Sequence, residues 1–344
     1  MNKAESGMWY YEYLDQIVNL ELKNKPAQQG GTQLRYRAAR ERQGDVPLCG
    51  QIAQALLPRL ADSTVILVTG TGNPEWLPHG ETDGPSGVAV LARCLGALGV
   101  RTCILSEARF LPGVQASVQA AGVPLLHEAA WRKRSNAALG LEFPTGEDAA
   151  LPFVDDLMGR LPKVSAVFFI EKPGPGREGK FHNSSGKSKD SDWVAHAHLL
   201  ADVARRQGAL TIGVGDGGNE IGFGMIARAL ATGASQRYTC DCACEYGLLD
   251  ATELDFLFPA SVSNWGSYAI AAALALTSGQ YSLLPRWEEV AHSISAPIAF
   301  GAFDGYSGLA VPTVDGTSSD ANRSVYALIN EVLRLAQEAS GSSR

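Results

Sequence analysis

An α/β architecture, with a mostly parallel or mixed sheet layered against helices, follows from three features of this 344-residue chain. Short β-branched apolar runs alternate with segments of helical period, the grammar of parallel sheets. Those runs are nearly continuous in apolar character, as buried strands are and half-exposed strands are not. Glycine-rich, acid-bearing loops follow them, at the strand C-terminal ends where open parallel sheets gather their ligands.

The elements follow in order. Residues 9–23 carry an apolar stripe of helical period, and residues 24–45 read as a polar loop leading into a helix. Residues 47–60 form a second helix. TVILVT (64–69) is a buried strand closed by Gly70. A helix at 85–98, a strand at 100–105, a helix at 110–121 and a strand at 124–126 complete a β-α-β-α-β succession. Residues 128–150 have no clear period and mark a sub-domain break inside a single domain spanning 1–344. VSAVFFI (164–170) is the next strand, followed by a long charged loop at 172–192. A helix at 193–207, a strand at 209–214, a helix at 221–231 and a strand at 236–243 come next. A buried alanine-rich helix is expected at 265–277 and an amphipathic one at 324–336. Residues 340–344 read as a frayed tail.

Composition narrows the function. Lys and Arg number 29 against 36 Asp and Glu, a net charge of −7, which excludes nucleic acid as the main partner. The longest apolar run, at 268–276, is far short of the ~20 residues that span a bilayer, so no membrane is expected. The N-terminal MNKAESGMWYYEYLDQ has no apolar h-region and no presequence character. A cytoplasmic location with reduced thiols is therefore expected. Cys240, Cys242 and Cys244 lack the C-x-x-C spacing of zinc sites and read as buried structural thiols sharing one strand face. No oligomeric state is set by the sequence, and a homodimer is one option.

Glycine is the compositional outlier, with 37 residues where average usage of about 7% gives roughly 24. About half of them lie in four loops. The first, TGTGNPEWLPHGETDGPSG (69–87), carries Glu81 and Asp83 ahead of a helix. That pair suits a divalent cation at a helix N-terminus, with simple capping by Thr82 or Asp83 as the alternative. The second, EKPGPGREGKFHNSSGKSKDSD (171–192), places Glu171 at a strand end and a basic loop behind it. Lys172, Arg177, Lys180, Lys187 and Lys189 suit a small anionic substrate. His182 is open between base, ligand and surface residue.

The third loop, GVGDGGNEIGFG (213–224), formally matches G-x-G-x-x-G through Gly213, Gly215 and Gly218. Asp216 sits inside that turn and repels pyrophosphate, so no NAD is expected. Asp216, Asn219 and Glu220 offer hard oxygen donors for Mg²⁺, Mn²⁺ or Ca²⁺. The fourth group joins SVSNWGSY (261–268), with Ser263 or Asn264 as helix cap, to FGAFDGYSGLAVPTVDG (300–316). Asp304 and Asp315 there each precede glycine, a common turn pattern. No G-x-S-x-G, H-E-x-x-H or phosphate-loop motif is present.

TGTGNP…GETDGPSG, EKPG…GKFHNSSG, GDGGNEIGFG, SVSNWG-x-Y and DG-x-SG…PTVDG occur here in an order that resembles the D-glutamate cyclase-like C-terminal domain family, from about Trp9 to Leu335. The resemblance implies an α/β fold binding a divalent metal, Mn²⁺ or Mg²⁺, through Glu81, Asp83, Glu171, Asp216 and Glu220. In animal members the domain is joined to a separate N-terminal domain, and this chain is expected to stand without it. The implied reaction is cyclisation of D-glutamate to 5-oxo-D-proline with loss of water, a hydro-lyase activity. Glu171 or Glu220 is then the base, with Lys172 beside it. Arg177, Lys180, His182, Asn183 and Asn264 are the expected substrate contacts. A metal-dependent phosphoester hydrolase and a non-enzymatic small-anion binder stand as alternatives.

Overall fold

The computed structural model describes residues 3–23, 30–233 and 237–341. Helices α1 (Lys3–Val18), α2 (Gly31–Arg42) and α3 (Leu48–Leu56) precede β1 (Thr64–Thr69). Helix α4 (Pro85–Ala97) leads into β2 (Arg101–Ser106). Helix α5 (Leu111–Ala120) and the single turn α6 (Glu128–Trp131) lead into β3 (Ala138–Glu142), and α7 (Glu147–Arg160) into β4 (Val164–Ile170). The short strands β5 (Phe181–His182) and β6 (Ser188–Lys189) pair as an antiparallel hairpin. There follow α8 (His198–Arg206), β7 (Leu210–Gly215), α9 (Ala227–Gly233) and β8 (Phe256–Pro259). Helices α10 (Ser263–Ser278), α11 (Trp287–Ser295) and α12 (Ser319–Gly341) close the chain.

The main sheet runs β3-β2-β1-β4-β7-β8, and every pairing in it is parallel. The chain therefore winds outward from β1 in one direction and from β4 in the other. The reversal between β1 and β4 opens a crevice beyond their carboxyl ends, the usual ligand position in such sheets. Both faces are covered. Val65 and Leu67 of β1 point into a core shared with α3, α4, α10 and α12, while Ile66 and Val68 point into one shared with α6, α7 and α8. The stretch of α10 from Ser263 to Ala275 is buried, the helix packs against α3, α4 and α12, and its alanines let those backbones approach closely. No helix among the described residues is long and apolar enough to cross a membrane.

The strands expected at 64–69, 100–105, 164–170 and 209–214 are present as β1, β2, β4 and β7. Other expectations need correction. Residues 124–126 hold only an isolated bridge, Leu125 with Ala138. The strand that pairs with β2 is β3, inside the 128–150 stretch that shows no clear period and is expected to mark a sub-domain break. Strand β8 lies at 256–259, not at 236–243, where residues 237–243 form turns and bends. Gln236 itself, residues 24–29 and residues 342–344 of the expected tail lie outside the described residues, as do Met1 and Asn2. The glycines matching G-x-G serve packing: Gly213 and Gly215 are inside β7, and a Cβ at Gly213 would sit 2.5 Å from the Ile221 carbonyl oxygen.

Candidate functional site

Three strands deliver acids to the crevice. The loop after β1 carries Glu81 and Asp83, the residue after β4 is Glu171, and Asp216 follows β7. A fourth segment, between α11 and α12, adds Asp315. Thr82 N donates to the Phe303 carbonyl at 3.0 Å and Phe303 N to Gly80 at 3.1 Å, which stitches the first loop to that segment. Asp304, expected as a turn residue, is one: its carboxylate accepts from the amides of Tyr306, Ser307 and Gly316.

Two helix N-termini face the acids. Asp83 accepts from Ser263 N at 3.0 Å and Asn264 N at 2.8 Å, at the start of α10. Asn264 returns the arrangement by accepting from Gly84 N at 3.1 Å and Gly87 N at 2.6 Å, at the start of α4. Each helix thus caps the other's first turn, and both dipoles place positive potential beside the carboxylates. Glu171 holds φ = +50° and Asp315 φ = +52°, conformations a side-chain-bearing residue seldom adopts. Both strained positions carry site acids.

Glu81, Asp83, Glu171, Asp216 and Asp315 are all buried, each at most 9% exposed. Burial, reinforced by Asp315 and the neighbouring acids, pushes Glu81 well above the usual carboxylate range. Burial and Asp216 do the same to Glu171. Asp83 is pushed up to about 6 by burial and then by Asp315. Asp216 rises through burial and Asp315, against the pull of Lys23. The Lys23 ammonium makes ion pairs with both Asp216 and Asp315. Burial favours its neutral form, but Asp216, Asp315 and Asp83 together hold it charged.

A cavity of about 860 Å³ opens on this cluster, lined by Glu81, Glu171, Asp216, Asn219 and Asp315 among others. The β5–β6 hairpin forms one wall, with Asn183 and Lys189 on the lining. Lys189 Nζ donates to Thr71 Oγ1 at 2.9 Å, and burial lowers its pKa to about 8.

Asp83, Glu171 and Asp216 can each present one carboxylate oxygen with all three atoms within 4.8 Å of one another. Asn219 Oδ1, on the same cavity, is buried without a hydrogen-bond partner. Hard oxygens, an excess of buried negative charge and an orphaned amide oxygen fit a divalent cation.

The structure places the remaining expected site residues elsewhere. Lys172 is wholly buried, paired with Glu107 and donating to the Gly70 carbonyl at 2.9 Å; it does not line the cavity. Both Glu220 oxygens accept backbone amides, Gly217 N at 2.8 Å and Gly218 N at 2.7 Å, so Glu220 shapes the turn after β7. Arg177 is exposed, pairs with Glu245 and lies over Tyr246, and Lys180 is exposed too. Asn264 is buried between the two helix starts. His182 is buried and its Nε2 lies 3.0 Å from Cys242 Sγ. Cys240, Cys242 and Cys244, expected as buried thiols on a strand, are half-buried on turns with their sulfurs converging.

Sequence reasoning missed Lys23 and the place of Asp315. Lys23 is 193 residues from Asp216, with no local motif around it. Asp315 carried a signal, the glycine after it, which pointed to a turn and not to what the turn presents.

Comparison with known proteins gives the family. A family model described as "D-glutamate cyclase-like, C-terminal" matches residues 40–330. The human protein named "D-glutamate cyclase, mitochondrial" is 28% identical over 226 residues, which is 62% of this chain and 33% of that protein. The chain thus spans about a third of the length of that curated relative. With the family model covering most of its length, the chain belongs to the D-glutamate cyclase-like, C-terminal family.

Proposed function

We propose that the acid-lined cavity is the active site of a D-glutamate cyclase-like lyase that converts D-glutamate to 5-oxo-D-proline and water. The observation that carries this reading is the convergence of Asp83, Glu171 and Asp216 at the sheet's reversal point, with Glu171 and Asp216 lining a cavity of amino-acid size or larger. The family and the name of the human relative support the substrate.

The substrate amine must be neutral to attack. Glu81, which lines the cavity and has raised proton affinity, takes the ammonium proton. The amine nitrogen then bonds to the γ-carboxyl carbon and gives up a second proton, the carbon–oxygen bond breaks, and the departing oxygen takes that proton and the one held by Glu81 and leaves as water. Asp83, Glu171 and Asp216 hold the divalent cation, whose contribution when bound is Lewis-acid polarisation of the carboxyl group. Lys189, on the cavity lining, is the cation that attracts a substrate carboxylate. Asn183 fixes the hairpin wall by accepting from Ser185 N and Lys187 N, both at 3.0 Å.

The test is direct. Purified protein with Mn²⁺ or Mg²⁺ is incubated with D-glutamate or L-glutamate, and 5-oxoproline is separated and quantified. The reading expects product from D-glutamate, lost in Asp216→Asn. Absence of product from D-glutamate with either metal, or equal product from the Asp216→Asn variant, overturns it.

A further inference from the structure

We propose that His182, Cys240, Cys242 and Cys244 form a second metal site, a tetrahedral Cys₃His centre for a thiophilic d¹⁰ divalent cation, zinc, that fastens the β5–β6 hairpin to the 240–244 turn. One ligand atom from each of the four residues lies within 4.8 Å of the others. His182 Nε2 is 3.0 Å from Cys242 Sγ and 4.0 Å from Cys244 Sγ. Cys242 Sγ is 3.5 Å from Cys240 Sγ and 3.2 Å from Cys244 Sγ. A tetrahedral ion with metal–sulfur bonds of ~2.3 Å and a metal–nitrogen bond of ~2.0 Å needs ligand atoms roughly 3.5–3.8 Å apart. The four atoms already stand near that spacing.

The backbone explains how a C-x-C-x-C sequence achieves this. On a strand, alternate residues share a face but stand about 6.6–6.8 Å apart, too far for three thiols to reach one ion. Here the segment is a turn, and Ala243 takes φ = +51°, which curls Cys244 back toward Cys240. Cys244 N donates to Cys240 Sγ at 3.3 Å, the kind of amide contact that stabilises a thiolate. His182 arrives from β5, about 60 residues earlier, and its ring is fully buried with only Nε2 turned to the sulfurs. An opening of about 260 Å³ lined by Cys240 and Cys244 gives an ion a route in.

The donor set separates this site from the acid cluster. Thiolates and imidazole select zinc, whereas carboxylate and amide oxygens select magnesium or manganese. The two elements joined are already in contact: Asp241 N donates to the Gly186 carbonyl at 3.0 Å, and Ser188 N donates to Asp241 Oδ1 at 3.1 Å. Asn219 Nδ2 donates to the His182 carbonyl at 3.2 Å, so the fastening also reaches the turn after β7.

The experiment uses the full chain purified under reducing conditions without added metal. Elemental analysis is expected to find one zinc per chain, released on titration with an organomercurial thiol reagent. Exchange with Co²⁺ is expected to give thiolate-to-cobalt charge-transfer absorption. Cys242→Ser should lose both signals, while Cys94→Ser, at a buried thiol elsewhere, and Asp216→Asn, at the acid cluster, should keep them. Circular dichroism on each variant separates lost ligation from lost fold, and a Cys242→Ser chain that does not fold is replaced by His182→Ala. Zinc-free protein that takes up no Co²⁺ overturns the proposal, as does full zinc retention in both ligand variants. A disulfide within 240–244 in place of the metal overturns it too. None of these results depends on turnover, so this proposal and the cyclase reading fail independently.

Discussion

Replacing Lys23 by methionine removes the ammonium paired with Asp216 and Asp315 while keeping most of the side-chain volume. Both acids and the lysine are nearly buried, at 7%, 12% and 11% side-chain exposure. Breaking a buried ion pair from one side costs about 3–5 kcal/mol because the remaining charge is uncompensated. Against a total stability on the order of 5–15 kcal/mol, that is a large fraction. With the Lys23 ammonium gone, a divalent cation on Asp83, Glu171 and Asp216 no longer competes with it for Asp216, and an affinity about 100-fold above that of wild type returns roughly 2.7 kcal/mol of the difference when both proteins are saturated. Urea unfolding of wild type and Lys23→Met, each with chelator and with excess Mn²⁺, measures both quantities. The expected result is a large loss in chelator and a loss at least halved by Mn²⁺. Equal losses in the two conditions would refute the idea that Lys23 and a cation neutralise the same charge.

Three further outcomes follow from the same chemistry. Asp83 titrates at about 6 in the folded chain against roughly 3.9 unfolded, so the folded state binds the extra proton between those values. Its contribution of roughly 3 kcal/mol is present below about pH 4 and lost as pH rises through about 6. Because a bound cation needs the ionised acids, thermal midpoints with Mn²⁺ and with chelator should diverge above about pH 6, and parallel curves would contradict this. Lys172→Met should cost about 3–5 kcal/mol in urea unfolding by stranding Glu107, with turnover per folded molecule retained; lost turnover at full stability would make Lys172 part of the chemistry. Gly174→Ala places a Cβ 2.0 Å from Asp250 Oδ1 and should destabilise by about 1–3 kcal/mol, measured by the same unfolding curves.

What could be read from the sequence divides along physical lines. Strands β1, β2, β4 and β7 are buried on both faces, so their apolar runs announce them. Strand β3, ALGLE, is partly exposed and carries a glycine and a glutamate, and β8 is four residues ending in proline. Neither has room for a periodic signal. Asp83, Glu171 and Asp216 stood out because each lies in a glycine-rich segment after a strand, and the sheet topology then brings the three together. Partnership was not legible. Lys172 looked poised beside Glu171, but its side chain goes to Glu107, and Glu220 spends both oxygens on its own turn. The cysteines were misjudged because a strand was assumed where the chain turns with a positive φ at Ala243, and the distance to His182 in sequence hid the ring nitrogen that lies beside the sulfurs.

Calorimetric titration of Mn²⁺ into metal-free wild type beside Asp216→Asn bears most directly on the acid cluster as a hard-metal site. Manganese is a poor match for the thiol cluster, so its heats report the carboxylates. Saturable binding to wild type, weakened at least about tenfold in Asp216→Asn, about 1.4 kcal/mol, is the expected result. Identical isotherms for the two proteins, or no saturable heat in wild type, would contradict it.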